Sequence, residues 1–130
     1  MGAECLRATG WIAISTMETL PWEAAAGGTL EEVHIAEEFS GGLTGEGASR
    51  LLMYTASGGL VEFAGMERFT GALGERSGSF VFCNSGRLEN GEVTAEWRVL
   101  PGSATGQLSG LAGEGGCRTA VGYWLDYWFE

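Results

Sequence analysis

Two glutamates stand where the alternation of the chain would otherwise place apolar side chains. Glu37 shares its parity with Val33, Ile35 and Phe39, and Glu67 shares its parity with Val61, Phe63 and Phe69. Residues two apart on a strand face the same way, so both carboxyls point with an apolar set. A carboxyl withdrawn from water holds its proton more tightly and can act as a general acid or base near neutral pH. Asn84 sits in the same fashion among Phe80, Phe82 and Leu88, where its amide can donate to a carbonyl or enolate oxygen. Tyr123 and Tyr127 offer hydroxyl donors from the last strand. Phe63, Phe80, Phe82 and Trp97, with Tyr127, would wall an apolar, aromatic ligand pocket. The competing structural account pairs each inward glutamate with Arg50, Arg68 or Arg76 and wires Asn84 to the backbone.

Other chemistries have thinner support. The chain has no lysine, so neither a Schiff base nor a phosphate-loop lysine can be built. Its one histidine, His34, lies on a charged parity between Glu32 and Glu38 and reads as a solvated residue. A Ser-His-Asp triad would need His34 and Asp126, and no nucleophile-elbow motif supports it. One imidazole and three scattered thiols make no metal site, and no cofactor is expected. The stretch PGSATGQLSGLAGEGG has neither GxGxxG nor GK[ST], and reads as a tight crossover at one end of the fold.

The 130 residues carry 17 acidic against seven basic side chains, a net charge of −10. Such a field repels nucleic acid and anionic lipid. Cys5, Cys83 and Cys117 form no CxxC and read as reduced thiols, which with the lack of a signal-peptide pattern or a long apolar run points to a cytoplasmic protein. The length suits one domain, residues 1–130.

The 23 glycines punctuate apolar runs, the mark of many short strands joined by turns. Asn90-Gly91 suits a type I′ hairpin, and Gly41-Gly42, Gly58-Gly59 and Gly74 mark further reversals. Eight strands are predicted: 6–17, 31–40, 46–55, 60–69, 79–88, 92–100, a weak one at 105–111, and 118–129. Only Pro21 to Gly28 reads as a short helix. Hairpin connections and an even strand count favour an all-β, closed, eight-stranded antiparallel β-barrel, with a two-sheet sandwich as the alternative. In the last strand Tyr123, Leu125, Tyr127 and Phe129 would face inward. Trp124 and Trp128 would face outward, into an interface of a homo-oligomer, a dimer or trimer.

The segments Gly65 to Phe82 (GMERFTGALGERSGSFVF) and Ala95 to Gly116, with the closing LDYWFE, resemble a bacterial family of small domains of unknown function. The resemblance runs from about Ala8 to the C-terminus. It implies the allene oxide cyclase-like β-barrel, oligomeric and without a settled reaction. Where that family commonly has a histidine in FVFCNSG, this chain has Asn84. Where the last strand usually carries small or acidic outward residues, it has Trp124 and Trp128.

An eight-stranded barrel is wide enough to be filled by side chains or to hold one small ligand. The inward polar residues point to a barrel enclosing a small, largely apolar organic molecule and assisting an isomerisation or cyclisation without a cofactor. Glu67 or Glu37 would handle a proton, while Asn84 and Tyr123 would polarise an oxygen. The alternative is a filled barrel acting as a non-catalytic binding or assembly module through its outer surface.

Overall fold

The computed structural model describes residues 4–25 and 27–130. None of these is helical, and none of the elements is a helix that could cross a membrane. The strands are β1 (Leu6–Ala25), β2 (Gly28–Gly41), β3 (Leu43–Ala56), β4 (Val61–Leu73), β5 (Arg76–Glu89), β6 (Glu92–Val99), β7 (Thr105–Gly106), β8 (Leu111–Arg118) and β9 (Gly122–Phe129). Every pairing is antiparallel, in the order β4-β3-β2-β1-β9-β8-β6-β5. Pairing of β4 with β5 closes these eight strands into a ring of hydrogen bonds, and two-residue β7 is appended to β5.

Turn chemistry sets the register. Asn90 and Gly91 have φ of 54° and 76°, both left-handed as a type I′ turn requires, which fixes β5 against β6 with Leu88 opposite Val93. Alternation then sorts the side chains. Val33, Phe39, Val61, Glu67, Phe69, Phe80, Phe82, Ala95, Trp97, Tyr123 and Leu125 are buried inside the ring.

Three predicted elements require correction. Pro21 to Ala25 extends β1, opposite Gly28 to Glu31 of β2; Ala26 lies outside the described residues. Pairing with β2 overrides the helix preference of the alanines. Proline is tolerated because β1 has no second neighbour here and carries a bulge between Pro21 and Glu23. The weak strand at 105–111 shrinks to β7, and half of the expected crossover is a full ring strand, β8. The last strand begins at Gly122 and not at residue 118. Glycine's poor strand preference hid β8, yet a β-carbon at Gly115 would strike the backbone of Trp124 and Leu125, so the close approach of β8 to β9 demands glycine.

Strict alternation also fails in β1. An extra residue, Ser15, bulges between Ile14 and Thr16, so Ile14 opposite Glu37 and Met17 opposite Ile35 end on the same, inward face. β1 pairs with β9 only from Leu6 to Gly10, so beyond Gly10 it pairs with β2 alone.

The core occupies one end of the ring. Phe39, Phe69, Phe80, Phe82 and Trp97 form a closed circuit of ring contacts with centroids 4.6–6.1 Å apart. Tyr123 packs against both Phe39 and Trp97. Leu43, Leu73, Leu108 and Leu111 complete this layer. Each aromatic pair adds about 0.5–1.5 kcal/mol beyond area burial, so the circuit is a rigid partition across the lumen.

Candidate functional site

On the far side of that partition the lumen is open. A cavity of about 250 Å³ is walled by Ile12, Ile14 and Met17 of β1, Ile35 of β2, Leu51 and Met53 of β3, Val61 and Phe63 of β4, Leu88 of β5 and Val93 and Ala95 of β6. Its polar lining is Glu37, Ser49, Asn84, Trp97 and Cys117. Ile14 is 59% and Met17 52% exposed, which places the mouth on the β1 side, where that strand has lost its second neighbour.

The polar groups gather toward the partition. Glu67 is 1% exposed and lies opposite Ser49 on β3 and Phe82 on β5. Gly47 makes room for it: Glu67 Oε2 occupies the place a Gly47 β-carbon would take. Ser49 Oγ, Asn84 Oδ1 and Trp97 Nε1 line the cavity and are buried without a hydrogen-bond partner, while the equally buried Glu67 has the Glu37 carboxyl beside it. Orphaned buried polar atoms cost about 1–3 kcal/mol each. Three such atoms in the wall of one cavity call for an explanation.

The charge state follows from the surroundings. Burial first, and then the hydrogen bond and charge of the neighbouring Glu37, push the Glu67 carboxyl up to about 10. Two ionised carboxylates have no proton to share. With Glu67 protonated, its O–H can donate to Glu37. Among the described residues no arginine pairs with either; the ion pairs are Arg7–Asp126, Arg87–Glu62 and His34 with Glu18 and Glu32. Cys117 stays a neutral thiol, raised to about 11 by burial first and then by the charges of Glu37 and Glu67. Glu37 also lines a second depression, on the outer surface beside Ser15, Glu38 and Arg68. It therefore touches both the cavity and the outside.

The predicted residues divide between the two halves of the lumen. Glu37, Asn84, Phe63 and Trp97 line the cavity, with Glu67 directly behind Glu37. Phe80 and Phe82 belong to the aromatic partition and are 1% exposed. Tyr123 is not a donor to a ligand: its O–H donates to Ser40 O at 2.8 Å and its oxygen accepts from Leu43 N–H at 2.8 Å. It pins the β2–β3 turn, and Gly10 leaves the space its hydroxyl needs. Tyr127 lies toward the opposite end, beside Leu6, Leu73 and Phe129.

On the outer face Trp124 and Trp128 are half-buried. Trp124 lies over Gly116, within 3.2 Å of where that residue's β-carbon would be, and Trp128 donates from Nε1 to Glu130. Asp126, between them, is held by Arg7 in two hydrogen bonds of 2.6 and 2.9 Å, which keep its carboxyl below the usual range. His34 sits between Glu18 and Glu32.

Sequence reasoning missed Ser49, Gly47, Cys117, Ile14 and Met17. Ser49 was within reach, since it alternates with Leu51 and Met53. Cys117 was hidden with β8, and Met17 by the Ser15 bulge.

A hydrogen-bonded ring of antiparallel strands, packed solid at one end and hollow at the other, defines a small all-β protein with an internal cavity. The chain belongs to the family described as protein of unknown function (DUF3224), whose model matches residues 8–130. A crystal structure of a protein of unknown function from this family, from Shewanella oneidensis MR-1, is similar over 98% of both chains, with 25% sequence identity and a TM-score of 0.80. Among curated proteins none matches.

Proposed function

We propose that this protein is a β-barrel of the allene oxide cyclase type that binds one small, largely apolar organic molecule in its open half. The observation that carries this reading is the convergence of unpartnered buried polar atoms on an apolar cavity of about 250 Å³. A cavity of about 150 Å³ lined by aliphatic and aromatic groups holds a benzene ring, so this one suits a ring with a short chain. The Glu37–Glu67 pair gives it an acid and a base one proton apart. That is sufficient for a cofactor-independent isomerisation or cyclisation in which one carboxyl delivers a proton and the other receives one. Three free cysteines suit the reducing cytoplasm.

The test is titration with a neutral probe, 2-phenylethanol, followed through tryptophan emission, since Trp97 lines the cavity. Ala95→Leu, which fills the cavity with a volume the probe needs, is expected to weaken binding about tenfold or more. Equal affinity in both proteins would remove the cavity as the site.

A second reading, assembly of identical copies, is favoured by one observation. β1 beyond Gly10 has a free edge and carries the exposed apolar residues Trp11, Leu20 and Trp22. Such an edge is a template for pairing with another strand, and Trp11 extends the outer face that Trp124 begins.

A further inference from the structure

We propose, resting on the cavity reading above, that the molecule the cavity takes is a small hydrophobic amine, bound as its ammonium ion against the Glu37–Glu67 pair. Charge balance is the first argument. Glu37 in the lining and Glu67 beside it make an acidic site with no arginine in the cavity wall, in a chain that has no lysine and a net charge of −10; Arg68 meets Glu37 only in the outer depression. A carboxylate ligand would add a third acid there, whereas an ammonium supplies the missing positive charge.

Hydrogen-bond inventory is the second. Ser49 Oγ and Asn84 Oδ1, both in the lining and without partners, are able to accept. Glu37 adds a carboxylate. An ammonium brings three donors and no acceptor, which matches these acceptors and leaves only the orphaned donor of the lining, Trp97 Nε1–H, unanswered. A neutral alcohol brings one donor and leaves most of these acceptors orphaned. Ser49 is 3% exposed and lines the cavity, so the unmet group is inside the site and not at its rim.

The walls are the third argument. Phe63 and Trp97 both line the cavity, and aromatic faces attract a desolvated cation as well as an apolar body. The volume admits roughly one ring and a short chain, which defines the class as arylalkyl or short aliphatic primary amines.

Binding also moves a proton. Before the ligand enters, Glu67 holds a proton hydrogen-bonded to Glu37. When R–NH₃⁺ arrives, its N–H groups bond to the Glu37 carboxyl, the Glu67 O–H bond breaks heterolytically, and the proton passes by way of Glu37 to solvent. The exit is the outer depression beside Ser15, which Glu37 also lines. The site gains one ammonium and loses one proton, so its net charge is unchanged. The other titratable groups near the pair are Cys117 on the cavity side, a thiol that burial keeps protonated, and Glu38, Glu46 and Arg68 in the outer depression.

The experiment is calorimetry on the full chain at pH 7.5 with three probes of matched shape: 2-phenylethylamine, 2-phenylethanol and 3-phenylpropanoate. Each titration is repeated in two buffers of different ionisation heat. The amine is expected to bind about tenfold or more tighter than the alcohol and the acid least well, with release of up to one proton per amine bound. In Glu37→Gln the preference for amine over alcohol should fall to about twofold or less while alcohol binding persists. Alcohol affinity equal to that of the amine, or tightest binding of the acid, overturns the inference and leaves the cavity reading standing. Retention of the full amine preference in Glu37→Gln overturns the pair as the ammonium site. Absence of binding by all three probes overturns both readings.

Discussion

Glu67 shapes the stability of the protein as a function of pH, because it is buried with no cation to keep it ionised. In the unfolded chain its carboxyl ionises near 4.5, whereas in the folded protein it holds its proton up to about 10. Between those values the folded state carries one more proton than the unfolded state, so this group's contribution is full below pH 4.5 and is lost as pH rises toward 10. The slope it imposes is at most about 1.4 kcal/mol per pH unit. Glu67→Gln keeps the shape and removes the titration, so its urea midpoint should vary less between pH 5 and 8 than that of the parent, and should exceed it at pH 8. A parallel pair of pH profiles would show that Glu67 already ionises at neutral pH, contrary to the shared-proton pair. Tyr123 illustrates the opposite outcome for a buried hydroxyl. Its bonds to Ser40 and Leu43 satisfy it completely, and burial raises its pKa, so its work is to hold a turn.

At the scale of elements, the glycines of β8 govern how closely neighbouring strands approach. A β-carbon on Gly115 would meet only backbone atoms, those of Trp124 and Leu125, and backbone in a ring has little freedom to retreat. Gly115→Ala should therefore destabilise by about 1–3 kcal/mol, whereas Gly58→Ala, with nothing within 4 Å, should change stability by less than about 0.5 kcal/mol. Equal urea midpoints for the two variants would contradict the close approach. This same strand marks the limit of what was legible in the sequence. Hairpin turns and alternation were legible, as Asn90-Gly91 and the run Phe80, Phe82 and Asn84 show, because local chain geometry determines both. β8 was not, because its glycines answer to a neighbour distant in sequence. Neither was the inward turn of Met17, which depends on Ser15 bulging. Within the site, Glu37, Glu67 and Asn84 were visible as polar intrusions in apolar sets. Their grouping on the open side of an aromatic partition required the register of every strand in the ring.

For the whole molecule, charge and the free edge of β1 act against each other. Copies carrying −10 repel, while an unpaired strand bearing Trp11, Leu20 and Trp22 favours contact. Salt shortens the repulsion, with a Debye length falling from roughly 10 Å at 0.1 M to 3 Å at 1 M. Sedimentation at micromolar concentration should therefore show association that strengthens between low and high salt and weakens in Trp11→Glu. A monomer under all these conditions would dismiss assembly through β1.

The partition formed by Phe39, Phe69, Phe80, Phe82 and Trp97 has a consequence for how such a chain can change over generations. Folding stability is concentrated on one side of it, and the ligand selectivity proposed above would lie on the other. Substitutions at Ile35, Met53, Phe63 or Val93 can therefore alter what enters the hollow half without touching the layer that keeps the strands together. One scaffold can serve different small molecules by exchanging a handful of side chains, and relatives with little sequence in common can keep the same backbone while differing in what they hold.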